Sequence, residues 1–488
     1  MKTKIKGKYI IGYDGQDHVI LENAEVVYEN DTIIYVGKEY AEEVDEILDA
    51  GNAIISPGFI DLNALGDIDH DILHLEATKS KNLLWSERHV EEGHEEWMTE
   101  EEEAFKSLYA YSQLILHGIT TAMPITSVFY KKWAETYEEL SAAAKHAGSL
   151  GLRIYLGPSY QSGIRVVQPD GTIKLYWDED GGREGLLRAV KFVEEFDGAY
   201  DGLVKGMLAP ERIECQTEEN LVQTKFYSEK LGVPIKLHAA QGSFEYNTIL
   251  KEHGVTPIRY LYNLGFLGPK TGIPHAHHIA GYSGETMGEG DDLSLLSETN
   301  TTVIHCPLII GRHGEALESF AEYKRAGVNL ALGTDTFPPD MFQNIRTGSM
   351  LSRLQNKQVE GSTYADFYRA ATLGAAEFLG REDLGRLTVG AKADIIAIDL
   401  DGFHMGALDD PIRTMIVSGS GRDVKMTIIN GKLVMKDRKI PNIDLEEIKS
   451  KGQKYYDKMR KGYLKRDYQQ LPENELLSPS FKKVESIH

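Results

Sequence analysis

Through the middle of this chain, short apolar segments alternate with longer amphipathic ones, and that alternation admits few architectures. Residues 151–156, 235–238, 302–305 and 328–332 read as strands. Residues 102–116, 183–195, 218–231, 244–253 and 315–326 read as helices, because their apolar positions recur at helical spacing. A βα repeat of this kind buries itself as a largely parallel sheet joined by right-handed crossovers. Residues able to do chemistry recur at successive strand ends, which favours a closed α/β barrel. A doubly wound open sheet is the alternative.

The two ends of the chain have a different texture. Residues 24–28 and 32–36 near the start, and 393–398, 414–417 and 424–429 near the end, read as short strands separated by turn residues. Asn430-Gly431 supplies a tight turn before a further strand at 432–435. The expectation is one β-sandwich built from both ends, flanking the inserted barrel. The boundaries follow as 1–56 and 387–440 for the sandwich, 57–386 for the barrel, and 441–488 for a helical extension. In that extension, 446–468 carries alternating charge, and Tyr455, Tyr456, Met459 and Tyr463 are its docking residues, against the barrel or a partner subunit. The acidic run Glu100-Glu101-Glu102-Glu103 suits a solvated helix start.

Composition removes several function classes. A formal charge of −22 argues against a binder of nucleic-acid phosphates. With only Cys215 and Cys306, a disulfide scaffold is not expected. No run of eighteen apolar residues appears, so no membrane span is expected and a cytoplasmic location is the reading.

The motifs are more specific when taken in order. They are Pro57-Gly58-Phe59-Ile60-Asp61, Lys236-Leu237-His238-Ala239-Ala240-Gln241, Pro274-His275-Ala276-His277-His278-Ile279, His305-Cys306-Pro307 and Leu332-Gly333-Thr334-Asp335. Met341-Phe342-Gln343-Asn344-Ile345-Arg346 and residues 385–394 complete the series. Across roughly residues 5–440 the ordered set resembles the cytosine/guanine deaminase and triazine hydrolase branch of the amidohydrolase superfamily. The resemblance implies a TIM-like (β/α)8 barrel with a flanking β-sandwich, a homodimer, and one divalent metal that activates water. Zinc is the first expectation, with iron, manganese or nickel as alternatives.

Carried over residue by residue, the resemblance makes His238, His275 and Asp335 the metal ligands, with His275 also able to polarise the substrate. Three protein ligands and one open position are what a catalytic zinc requires. Two departures stand out. Asn63 and Leu65 occupy the first-strand positions that the family fills with histidines, and Gln241 occupies the place of its proton-transferring glutamate. An amide can hydrogen-bond a substrate but cannot cycle a proton. Acid–base work then falls to Asp335, His275 or Glu211, the last standing where family members place a substrate-facing histidine.

The remaining candidates are substrate contacts. Gln241 orients the substrate; Asp67 and His70, just beyond the altered first-strand motif, form a substrate loop. Lys236 shares strand parity with His238 and points inward, where an ammonium balances acids or binds a substrate oxygen. On an extended strand His275 and His277 face one side and His278 the other, so His278 is a substrate or loop residue. His305 supports the site by a hydrogen bond or is a buried structural histidine, and Cys306 reads as core. The function expected is metal-assisted hydrolysis or deamination of a small polar cyclic amide, amidine or aminated heterocycle. A non-hydrolytic lyase or isomerase, and an inactive binding or regulatory protein, are the competing classes.

Overall fold

The strand Phe59–Leu65 is buried at every position, as a strand covered on both faces must be. In the computed structural model, which describes residues 1–68, 78–82, 84–92, 98–125, 135–281, 290–317 and 320–486, it opens a series of parallel strands. Phe59–Leu65, Ile119–Ile125, Arg153–Leu156 and Val204–Gly206 lie side by side in that order. Ile235–Lys236, Thr271–Pro274, Thr302–His305 and Leu330–Leu332 form a second sheet of the same kind. A bridge between Leu208 and Ile235 links the two sheets. At the other seam, the backbone N–H of Asp335 donates to the Asn63 carbonyl at 2.8 Å.

Helices fill the crossovers, and local signals fix their ends. Glu100–Leu116 begins with a capping box between Thr99 and Glu102, and its first turn holds the four glutamates, where they meet the positive end of the helix dipole. Glu218–Leu231 starts on the Thr217 hydroxyl and stops at Gly232, whose φ of 76° suits a residue without a Cβ. Two sequence expectations shift. Residues 414–417 are not a strand but part of the helix Pro411–Ser418, nucleated by proline in its first turn and by the Asp410 carboxylate accepting the Arg413 N–H. The helix expected over 315–326 is shorter, running Phe320–Arg325 among the described residues.

Both chain ends enter one eight-stranded sheet. Its order is Lys432–Lys436, Val424–Ile429, Ile395–Asp399, Ala53–Pro57, Lys2–Tyr13, His18–Glu29 and Thr32–Gly37, with Glu46–Asp49 also alongside Lys2–Tyr13. Asn430 and Gly431, at φ 51° and 73°, make the turn expected of that pair. The helix Leu445–Arg466 packs on Glu100–Leu116 of its own chain. Tyr455, Met459 and Tyr463 are buried there with Ile68 and Met98, and Lys458 Nζ donates to Glu102 Oε1 at 2.8 Å.

One buried ion pair ties the parallel strands to the terminal sheet. Arg153 Nε and Nη2 donate to the two oxygens of Asp394 at 2.9 and 3.1 Å, and the same carboxylate accepts the Asn430 N–H at 2.7 Å. Both side chains are almost fully excluded from solvent. Removing one partner strands the other as a buried charge, so Asp394→Ala is expected to cost about 3–5 kcal/mol. Urea titration checks this, as a lower midpoint at unchanged slope; a midpoint equal to that of the unaltered chain refutes it.

Candidate active site

The site begins at the seam. Asp61 is fully buried, and its carboxylate accepts the Thr334 N–H at 2.9 Å and the Thr334 hydroxyl. Burial raises its pKa, opposed by those hydrogen bonds. Gly333 allows the two strands to approach this closely, since a Cβ there would meet the Asn63 Cβ at 2.4 Å. The next residue but one, Asp335, is thereby placed with its Oδ2 at 3.3 Å from His275 Nε2.

His238 and His275 complete the group. Their strands continue past the regular pairing through bridges of Arg212 with His238 and of Ala239 with His275. The two rings lie 5.5 Å apart. His238 directs Nδ1 to the Glu211 carbonyl at 3.1 Å, which leaves Nε2 as its available donor atom. Both nitrogens of His275 are buried without a hydrogen-bond partner. Burial holds both histidines well below their usual pKa; for His238 the Arg212 cation adds to this, and for His275 the His238 ring. Both are therefore neutral, the state that binds metals. Cys306, expected only as core, brings its Sγ within 4.8 Å of the His275 and Asp335 donor atoms.

Charged and polar side chains surround this group. Gln241 Oε1 accepts from Arg212 Nη1; since guanidinium only donates, Arg212 engages the oxygen end of the amide and not its N–H2. Glu245, which no sequence motif marked, accepts the N–H of Ala240 and of Gln241; burial, with the Glu214 charge, pushes its pKa up to about 8. Burial also raises the Glu211 pKa, against the pull of Arg212 and Lys236. Lys236 does point inward: Nζ donates to the Met123 carbonyl at 2.7 Å. Burial brings its pKa down to about 8, opposed chiefly by the Asp61 charge and then by Asp335.

Other expectations are corrected. Asp67, two residues past the end of the strand Phe59–Leu65, is buried with its carboxylate 3.5 Å from Lys106; burial raises its pKa to about 6 against the Lys106 charge. The nearby Glu103 and Glu139 charges add to that rise, and Lys106 is its ion-pair partner. His70 lies outside the described residues. His277 and His278 do not face opposite ways: the Nε2 of each approaches the same oxygen of Glu315. The parity argument fails because His275 and Ala276 leave the extended conformation, with φ of 66° and 45°.

The donors present suit a divalent metal. The donor atoms of His275, Asp335 and Cys306 lie within 4.8 Å of one another, the neutral His238 ring stands 5.5 Å from that of His275, and the buried nitrogens of His275 lack any other partner. His305 lies beside the stacked rings of Phe320 and Phe367. Burial lowers its pKa to about 3. Between pH 6.5 and about 3 the unfolded chain therefore holds a proton at His305 that the folded chain lacks. Its contribution to stability is complete above pH 6.5 and is lost as pH falls through that window, with a slope of up to about 1.4 kcal/mol per pH unit. Urea midpoints measured across the window should fall less steeply in His305→Asn than in the unaltered chain.

The chain is 26% identical over 457 residues to 5'-deoxyadenosine deaminase of Methanosarcina barkeri, covering 92% of this chain and 96% of that one. It is 28% identical over 441 residues to 5-methylthioadenosine/S-adenosylhomocysteine deaminase of Thermococcus sibiricus, covering 89% and 94%. Among solved structures, a zinc-bound adenosine deaminase of Xanthomonas campestris superposes with a TM-score of 0.75 at 19% identity, over 94% of this chain and 98% of that one. The zinc complex of atrazine chlorohydrolase from Arthrobacter aurescens gives 0.74 at 20% identity, over 93% and 99%. Residues 54–434 match the amidohydrolase family along most of the chain, and the chain belongs to that family.

Proposed function

We propose that this protein hydrolytically deaminates an aminated heterocycle at the group formed by His238, His275 and Asp335. The observation that carries the reading is the contact of Asp335 with His275 at 3.3 Å, with the neutral, buried ring of His238 beside them at the end of a neighbouring strand. The same reading takes the parallel strands as a closed (β/α)8 barrel within residues 57–386, supported by hydrogen bonds across both seams. It takes 1–56 and 387–440 as a sandwich, supported by the apolar cluster that Ile5, Val26, Ile55, Leu387, Ile395 and Met426 share.

The reaction adds water to an sp² ring carbon and expels the exocyclic amine as ammonia. His238, His275 and Asp335 would hold one divalent ion, zinc first, whose contribution is to lower the cost of forming hydroxide from water. Asp335 accepts the proton of the attacking water on its carboxylate. His275 donates or accepts no proton at neutral pH and instead orients the carbon's substituents. Glu211, with its pKa raised by burial, is the carboxyl that returns a proton to the departing amine. Gln241, turned by Arg212, donates its amide N–H to a ring acceptor. Lys236 lies behind Asp335 and balances its charge with that of Asp61.

The relatives named above direct the choice of substrates. Purified protein reconstituted with zinc is incubated with 5'-deoxyadenosine, 5-methylthioadenosine, S-adenosylhomocysteine and an aminotriazine, and released ammonia is measured. Turnover of at least one aminopurine is expected. Glu211→Gln and Asp335→Asn should each lower kcat by about 10²–10⁴-fold, the range of a lost acid or base. No ammonia from any of these compounds, with zinc bound, would sink the assignment.

A further inference from the structure

The strand Thr271–Pro274 runs into His275-Ala276-His277-His278, and the proposed reaction uses only the first of these histidines. The other two are 1% and 3% exposed. Because His275 and Ala276 turn through the left-handed region, both consecutive rings are carried to one side, 4.7 Å apart. There they meet Glu315, which follows the helix Pro307–Arg312. His277 Nε2 lies 2.8 Å from Glu315 Oε2, and His278 Nε2 lies 3.4 Å from the same oxygen. One donor atom from each residue falls within a span of 4.8 Å.

We propose that His277, His278 and Glu315 form a second divalent-cation site, for a borderline ion of the zinc class, beside the site that holds His275. Two imidazoles and one carboxylate match the preference of such an ion for mixed nitrogen and oxygen donors, with a coordination position left open. The two imidazoles and the carboxylate are already gathered, with one donor atom of each within 4.8 Å of the others. Glu315 is 42% exposed on its side chain, which gives a hydrated ion a route in from solvent. The rings of His275 and His277 are 6.4 Å apart and edge-on, so the two sites are neighbours with separate ligands. The lost first-strand histidines, at Asn63 and Leu65, are thus not needed for a second ion to lie close to the first.

The full-length chain, stripped of metal, is titrated with zinc and then desalted, and bound metal is counted. The unaltered chain is expected to retain about two equivalents, and Glu315→Gln or His278→Gln about one. His238→Asn should also retain about one, lost from the other site. Cobalt(II) titration gives a second readout, since each site contributes its own visible absorption. Circular dichroism confirms that each variant is folded, and Glu315→Gln, which keeps both imidazoles, guards against a folding artefact. Unchanged zinc retention in Glu315→Gln and His278→Gln overturns the proposal. Zinc lost only in His238→Asn overturns it while leaving the deaminase reading intact; zinc lost only in Glu315→Gln does the reverse.

Discussion

The Asp61 carboxylate is the contact on which the site depends. A buried acid with no partner would be costly, so it takes the N–H and hydroxyl of Thr334. That pairing locks the first parallel strand to the end of the last. Asn63 then receives the Asp335 N–H through its carbonyl, and Gly333 leaves room for the approach. The result is a carboxylate, Asp335, whose position is fixed by its own backbone and by a second carboxylate. First-strand residues therefore shape this site even though Asn63 and Leu65 supply no imidazole.

Strand ends elsewhere in the site hold backbone in a region that side chains disfavour. Ala240, His275, Ala276 and Asp335 all have positive φ, between 43° and 66°. Each such residue costs on the order of 1 kcal/mol or more, and persists only where its surroundings over-determine it. Here the Glu245 carboxylate holds Ala240, the His275 N–H donates to the Ile304 carbonyl at 2.8 Å, and His278 donates back to the Ala240 carbonyl at 2.9 Å. The strain aims consecutive side chains to places that a regular strand could not reach.

This explains what could be read from the sequence. The helix Glu218–Leu231 was legible because its cap and its stop are local, at Thr217 and Gly232. His238 and Asp335 were legible because they sit in short motifs. Arg212 with Gln241, Lys106 with Asp67, and Glu315 with two histidines were not, because each joins residues distant in the chain. Periodicity carries no register between elements, and strand parity holds only while the strand stays extended. Residues 414–417 failed for another reason: apolar residues of β preference stood inside a proline-capped helix, where end signals outweighed propensity.

Electrostatics inside the parallel strands then separate this site from one that carries two ions on a shared ligand set. Lys236 feels the charges of Asp61 and Asp335 and is anchored on the Met123 carbonyl. Its ammonium neutralises the very acids that a second ion at the first-strand positions would need, and Leu65 offers such an ion no donor. A dication held by His238, His275 and Asp335 would push Lys236 further toward its neutral amine, since like charges disfavour the charged form.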